Sequence, residues 1–167
     1  ILKSCESAGF VGGYGLSKDL KTLKPLGVQP SGAGAPCYLA LSPDKTRLAV
    51  ANYFGDLVAV FRVDPKTGAI QPGPQALHAA GEPKAAFEAG HAHWVQWSPE
   101  GDRIYVSDLG HDEIRAYPYD ARTGLAGAPV TAAELPAGAG PRHLAFHPGG
   151  RFAYVVTEFG NTVAAFA

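Results

Sequence analysis

Short apolar runs, each bounded by turn residues, recur along the chain and predict β-strands. One set of runs, at residues 48–52, 104–108 and 152–156, is rich in β-branched and aromatic residues, as strands are. Each of these runs follows a turn that contains proline with Asp or Gly, residue types that suit turn geometry. No segment shows an apolar period of 3.6 residues, so we predict an all-β protein with almost no helix.

The runs belong to one unit that is used repeatedly. Its anchoring prolines lie 56 and 49 residues apart, and they are Pro43, Pro99 and Pro148. Fifteen residues after each proline comes a β-branched residue; these are Val58, Ile114 and Val163. Tandem units of this length, with four short strands each, are typical of β-propellers. We therefore predict a β-propeller built of four-stranded antiparallel blades.

The repeat also predicts how the chain is divided. We expect the end of one blade at residues 1–35, complete blades at 36–90 and 91–140, and an incomplete blade at 141–167. A propeller closes on itself with four to eight blades. We therefore expect the chain to form a partial arc and to be a piece of a larger protein.

Composition and charge exclude several classes of partner. The net charge is −1, and 46% of the residues are hydrophobic. This charge offers no electrostatic basis for binding nucleic acid or a membrane surface, and no apolar run approaches the ~20 residues of a membrane span. The two cysteines, Cys5 and Cys37, form no CxxC motif. We predict reduced thiols and a cytoplasmic protein.

One position of the repeat carries candidate chemistry. Six residues before the anchoring prolines stand Cys37, His93 and Arg142. This position begins the first strand of each blade, which lines the central channel of a propeller. A purely structural position should look alike in every copy, whereas this one varies among reactive residue types. We therefore expect the three side chains to face one shared space.

A second departure from the repeat is Glu158. It lies ten residues after Pro148, where the other copies have Tyr53 and Leu109. A carboxylate in place of an apolar group needs a partner, and hairpin pairing brings it close to Arg142. We expect an Arg142–Glu158 contact, and its role as a structural ion pair or as part of a functional site stays open.

Four of the six histidines have structural interpretations. His78 falls in a linker and His111 in a turn, and we expect both on the solvated surface. His147 takes the turn position that serine holds in the other copies. His143 aligns with aromatic residues, so packing is the first expectation for its ring.

The remaining two histidines, His91 and His93, form an HxH pair. In a strand, residues two apart point to the same side, which can start a metal site. Zinc needs three or four ligands, and the sequence offers no evident third. We therefore predict no metal and no cofactor.

Several motifs together resemble a known family. They are Gly140-Pro141-Arg142-His143 with Glu158 downstream, the HxH pair before a strand, and residues 34–37, 50–53 and 107–112. The chain is similar in these motifs to the seven-bladed propeller lactonases. That family includes the propeller type of 6-phosphogluconolactonase and the fungal 3-carboxy-cis,cis-muconate lactonizing enzyme. The resemblance implies that the arc belongs to a seven-bladed propeller.

The resemblance also implies a site. The family's histidine, arginine and glutamate fall on His93, Arg142 and Glu158, the catalytic residues that we predict. The family uses a further arginine from a later blade, which this chain does not contain, and the usual histidine after the cysteine is Tyr38 here. We predict that His91, Cys37 and His143 bind substrate.

The expected function is hydrolysis of a sugar lactone, most readily 6-phosphogluconolactone. His93 would take a proton from water, and Arg142 would stabilise the developing negative charge. Two alternatives stay open at this point. The same groups suit the cycloisomerisation of a muconate, and a propeller also serves as a scaffold for protein contacts. Convergence of the three side chains within hydrogen-bonding reach would favour an enzyme.

Overall fold

The computed structural model describes residues 2–5, 9–78 and 89–167, with the backbone alone for residues 2–5. The described chain is all β, and no helix occurs in it. No segment described is therefore a helix that could span a membrane. The strands in chain order are β1 (Leu2–Cys5), β2 (Phe10–Leu16), β3 (Leu23–Pro30), β4 (Gly34–Leu41), β5 (Arg47–Phe54), β6 (Leu57–Arg62), β7 (Gln75–His78), β8 (Ala92–Trp97), β9 (Arg103–Asp108), β10 (Glu113–Asp120), β11 (Leu125–Ala126), β12 (Val130–Glu134), β13 (Pro141–Phe146), β14 (Ala153–Thr157) and β15 (Val163–Phe166).

The strands form four antiparallel sheets, each a meander. The first sheet is β1–β2–β3, the second is β4–β5–β6–β7, and the fourth is β13–β14–β15. In the third sheet β8, β9 and β10 follow in order, and β11 and β12 both pair with β10. The all-β propeller architecture expected from the sequence is confirmed.

The second, third and fourth sheets pair their strands in the same register. Ala51 faces Val58 in the β5–β6 hairpin, Ser107 faces Ile114 in the β9–β10 hairpin, and Val156 faces Val163 in the β14–β15 hairpin. The three β-branched residues are those that the equal offsets from proline had singled out. Equal spacing in the sequence therefore corresponds to equal pairing in the sheets.

The predicted divisions between blades stay a prediction. Those after residues 90 and 140 fall in the connections that separate β7 from β8 and β12 from β13, whereas the division after residue 35 falls inside β4, after its first two residues.

The core lies between consecutive sheets. Sheets one and two bury Val11 against Phe61 and Val50. Further along the arc the second and third sheets meet through a larger cluster that includes Val58 and Ile104. The third and fourth sheets meet through a cluster of six buried residues; these are Trp94, Ile114, Leu135, Ala139, Leu144 and Val155. Apolar packing of sheet on sheet thus holds the first strands β4, β8 and β13 next to one another.

A β-bulge interrupts the first strand of each of these three sheets. The register shifts between Pro36 and Tyr38, between Ala92 and Trp94, and between Pro141 and His143. The extra residue at the three bulges is Cys37, His93 and Arg142. A bulge redirects the side chain of its extra residue, and bulges are common beside active sites. The repeat therefore places these side chains by a backbone irregularity that the sequence pattern did not reveal.

Candidate active site

The three bulge residues lie in a row across the inner strands. The Cys37 sulfur is 3.5 Å from the carbonyl oxygen of His93 and 3.6 Å from that of Ala92. On the other side of His93, Arg142 donates a hydrogen bond from Nε to His93 Nε2 at 3.2 Å. His93 is thus the central member, in contact with a residue from each neighbouring sheet.

Arg142 and Glu158 form the contact expected from the hairpin. The Arg142 Nε lies 3.0 Å from Glu158 Oε2, and the two side chains are 47% and 39% exposed. Pro141 pairs with Thr157 in the ladder, and the Glu158 amide donates to the Gly140 carbonyl at 2.7 Å, which aligns the two side chains. An ion pair this exposed adds little to stability, so it can rearrange around a ligand at small cost.

His93 is buried and electrically neutral at neutral pH. Burial has the largest effect and lowers the pKa of His93. A backbone hydrogen bond opposes it, and the neighbouring Arg142 and His143 then add to the lowering, so that the pKa lies below that of a free histidine. The guanidinium can only donate, so His93 Nε2 carries the lone pair and the ring proton sits on Nδ1. The hydrogen-bond network thus assigns the tautomer. His93 is a base whose lone pair points toward Arg142.

Aromatic and imidazole rings surround His93. The His143 ring lies 5.3 Å from the His93 ring and 5.4 Å from the Tyr38 ring. Burial and then Arg142 lower the pKa of His143. The packing expected for His143 is present, and the packing is against the candidate base itself.

His91 lies on the other side of this ring cluster. The Tyr53 ring stacks on the His91 ring at 4.1 Å and 6°, and it meets the His93 ring edge-on at 5.8 Å and 85°. His91 Nδ1 is 3.0 Å from the Tyr53 carbonyl oxygen. The six residues predicted from the sequence, namely His93, Arg142, Glu158, His91, Cys37 and His143, are therefore brought together around His93.

A buried charged cluster supports the backbone of His91. Asp108, which is fully buried, accepts from the backbone amides of His91 at 3.1 Å and His111 at 3.0 Å. Its second oxygen lies 2.9 Å from His111 Nδ1 and 2.7 Å from Arg115 Nη2. These contacts outweigh burial and lower the pKa of Asp108 to about 2.

The surface position expected for His111 is wrong. The residue is only 5% exposed, because the turn between β9 and β10 folds its ring against Asp108. The hydrogen bond with Asp108 raises the pKa of His111 above that of a free histidine. His147 lies in a turn, as expected, and is exposed. His78 is exposed, as expected, but it belongs to β7 and not to a linker.

Asp56, from the turn between β5 and β6, completes the charged cluster. Its Oδ2 lies 3.4 Å from Arg115 Nη1 and 3.8 Å from His111 Nδ1. Burial, with repulsion from Asp108, raises the pKa of Asp56 to about 7. Gly90 packs against this cluster, and a Cβ there would collide with Asp56 and His111.

Two groups of residues have the donor atoms that metals prefer. Asp56, Asp108 and His111 place ligand atoms within 4.8 Å of one another, but Arg115 lies against both carboxylates and supplies the positive charge that a cation would bring. In the HxH pair, His91 Nδ1 and His93 Nε2 bond to different partners.

Sequence reasoning missed Tyr53 and the buried cluster behind His91. Tyr53 had a signal, because it occupies the repeat position of Glu158 in another copy. For the cluster the only signal was the motif at residues 107–112, which contains Asp108 and His111. Asp56 comes from another sheet, and only packing brings it to them.

Comparisons with known proteins agree with the propeller fold. The family model described as a lactonase with a seven-bladed β-propeller matches residues 3–167. A curated 6-phosphogluconolactonase from Bacillus subtilis is 33% identical over 168 residues, which cover 99% of this chain and 47% of the relative. One from Formosa agariphila is 27% identical over 171 residues and 48% of its length. The chain thus spans about half the length of the curated relatives it matches.

Solved structures give the same result. A putative 6-phosphogluconolactonase from Bacteroides uniformis has a TM-score of 0.87 at 26% identity, over 99% of this chain and 48% of that one. A periplasmic gluconolactonase from Pseudomonas aeruginosa has a TM-score of 0.83 at 31% identity, over 98% and 47%.

Proposed function

This chain belongs to the seven-bladed β-propeller lactonase family, and on that premise we propose that the complete protein hydrolyses a sugar lactone, with 6-phosphogluconolactone as its substrate. The observation that carries the proposal is a row of three side chains, in which Glu158 forms an ion pair with Arg142, and Arg142 donates a hydrogen bond to a neutral, buried His93. Such a row joins a base to a permanently charged group that can meet negative charge. A scaffold propeller has no need for that combination on the inner strands.

The first step is attack of water on the lactone carbonyl carbon. His93 Nε2 accepts a proton from the water as its oxygen bonds to that carbon. In the resting site this nitrogen accepts from Arg142 Nε, so substrate binding has to draw the guanidinium away. The half-exposed Arg142 side chain is placed to make that move.

Negative charge then develops on the former carbonyl oxygen. Arg142 keeps its charge at every working pH and presents a fork of donors. Within the described chain the only hydrogen-bonded or ion-paired partners of its guanidinium are His93 and Glu158, both at Nε. Its two terminal nitrogens are therefore open to the oxyanion, and Glu158 remains the counter-charge of the guanidinium.

The final step opens the ring. The bond from the carbonyl carbon to the ring oxygen breaks, and the protonated His93 returns its proton to that oxygen. The products are a carboxylic acid and a hydroxyl on one molecule, and the site returns to its starting protonation state. No further reactant is needed.

A panel of substrates tests the proposal on the complete gene product. Release of acid is followed with 6-phosphogluconolactone and with the unphosphorylated gluconolactone, and loss of the ultraviolet absorbance of the conjugated diene is followed with a carboxymuconate. We expect the phosphorylated lactone to react fastest. Preference for the unphosphorylated lactone would refute the phosphosugar assignment, and turnover of the muconate alone would favour the cycloisomerase.

Variants test whether the activity depends on the row of Glu158, Arg142 and His93. His93→Ala should lower kcat by about 10²–10⁴-fold, the contribution of a general base. His78→Ala, which removes an exposed histidine of β7, is the matched control and should retain full activity. Parental rates in His93→Ala would refute the role of His93.

The cytoplasmic location expected from the sequence is also a proposal. One structural neighbour is named a periplasmic gluconolactonase, so the location of this protein needs a direct test. Fractionation of cells that express the complete gene product tests it, and recovery outside the cytoplasm would refute it.

A further inference from the structure

Tyr53 occupies in one sheet the position that Glu158 occupies two sheets away. Each lies ten residues after the anchoring proline of its copy, Pro43 or Pro148. Tyr53 is the penultimate residue of β5, and Glu158 directly follows β14. Their sheets flank the sheet of His93 on either side, so the two side chains approach His93 from opposite directions.

The contacts of Tyr53 hold its ring in one orientation. One face stacks on His91, and its ring meets that of His93 edge-on. A third ring, that of Phe54, lies 5.3 Å away at 80°. His91, which covers Tyr53, is itself anchored through its backbone amide to the buried Asp108. A hydroxyl on so constrained a ring is fixed in place before a ligand arrives.

The hydroxyl of Tyr53 is a permanent donor at working pH. Burial raises the pKa of Tyr53, and the nearby Glu158 and Cys37 raise it further. The phenol therefore stays protonated well above neutral pH. That chemistry suits a neutral oxygen of a ligand, such as a sugar hydroxyl, which needs a donor but brings no charge.

We propose that Tyr53 is a substrate-contacting residue, whose hydroxyl donates a hydrogen bond to a hydroxyl oxygen of the sugar lactone on the side of His93 away from Arg142. This inference rests on the proposed lactonase function. Since the sugar hydroxyl that Tyr53 would contact takes no part in the reaction, the contact forms equally in the bound substrate and in the transition state. An interaction of that kind lowers KM and leaves kcat unchanged.

The test replaces Tyr53 by phenylalanine in the complete gene product. Tyr53→Phe keeps the ring that stacks on His91 and removes only the hydroxyl. Loss of one hydrogen bond should raise KM for 6-phosphogluconolactone by about 3- to 10-fold with kcat within twofold. Tyr154→Phe, which removes the hydroxyl of an exposed tyrosine in β14, is the matched control and should leave both constants unchanged.

Binding of the product gives a readout that does not depend on catalysis. The dissociation constant of 6-phosphogluconate, measured by calorimetry, should rise in Tyr53→Phe by the same factor as KM, while the melting temperature stays at the parental value. An unchanged KM and dissociation constant would overturn the inference, and so would a fall in kcat at constant KM. Failure of the parent protein to hydrolyse any lactone would instead refute the proposed function, which distinguishes the two.

Discussion

Asp56 and Asp112 occupy the same place in consecutive sheets, yet we predict opposite effects on stability when each becomes asparagine. Both lie thirteen residues after their anchoring proline, and both have positive φ, 44° and 54°. Asparagine adopts that conformation about as readily as aspartate. Backbone strain therefore cancels from the comparison, and only the contacts of the two carboxyl groups differ.

For Asp56 the carboxylate is the unfavourable form. Burial and the charge of Asp108 outweigh the attraction of Arg115 and His111, and they raise the pKa from 3.8 to about 7. Because the folded protein holds this proton more tightly than the unfolded chain, the stability that the neutral group contributes is complete below pH 3.8. It is lost as the pH rises to 7.

The size of this loss follows from the pKa. At about 1.4 kcal/mol for each pH unit, it amounts to about 4 kcal/mol at pH 8 and about 2 kcal/mol at pH 5. Asparagine resembles the neutral form and does not ionise. Asp56→Asn should therefore stabilise the protein at both pH values, and more at pH 8.

For Asp112 both side-chain oxygens have backbone partners. The residue is fully buried, and its two oxygens accept from the amides of Gly138 at 2.7 Å and Gly140 at 2.8 Å. Asparagine has one carbonyl oxygen, so one of the two amides would face an NH₂ group. Asp112→Asn should cost about 1–3 kcal/mol at both pH values.

Urea unfolding of the complete gene product, followed by circular dichroism at pH 5 and pH 8, measures both effects. The reasoning fails if Asp56→Asn loses stability at pH 8, or if its gain there does not exceed its gain at pH 5. It fails equally if Asp112→Asn is as stable as the parent.

Three further predictions concern the site and the core. Burial and then Arg142 lower the pKa of His93. We therefore predict that kcat/KM rises with pH through a midpoint below pH 6.5 and then stays level to pH 8. A midpoint above pH 6.5 would contradict the role of His93 as the base. Arg142→Ala should lower kcat about 10²–10³-fold. The melting temperature should stay unchanged, because the side chain is half-exposed. A melting temperature that falls together with kcat would instead indicate a structural role. Ile104→Ala, at a fully buried position, should lower the free energy of unfolding in urea by about 2–5 kcal/mol. Val130→Ala, at an exposed position, should lower it by less than about 0.5 kcal/mol. Similar losses in the two variants would contradict the assigned core.

The strands and their register could be predicted from the sequence, because the repeat is carried by local spacing. Val58, Ile114 and Val163 each face the residue seven positions earlier, so an equal offset in the chain is enough to assign the pairing. The Arg142–Glu158 contact was predictable for the same reason, since the two residues end one hairpin.

Contacts between sheets could not be predicted in this way. The burial of His111 depends on Asp108 and on Asp56 from the preceding sheet, and the stack of Tyr53 on His91 depends on how closely two sheets approach. These distances result from side-chain packing across sheets, which the spacing of residues along one strand does not encode. The bulges at Cys37, His93 and Arg142 likewise leave no mark in the apolar pattern.

The central claim is that residues from neighbouring sheets act together as one lactone-hydrolysing unit. A double-mutant cycle with His93→Ala, Arg142→Ala and the double variant of the complete gene product measures this directly through kcat for 6-phosphogluconolactone. Because the members of a catalytic unit are not additive, the double variant should be at most about threefold slower than the slower single variant. A double variant whose loss equals the product of the two single losses would contradict the claim.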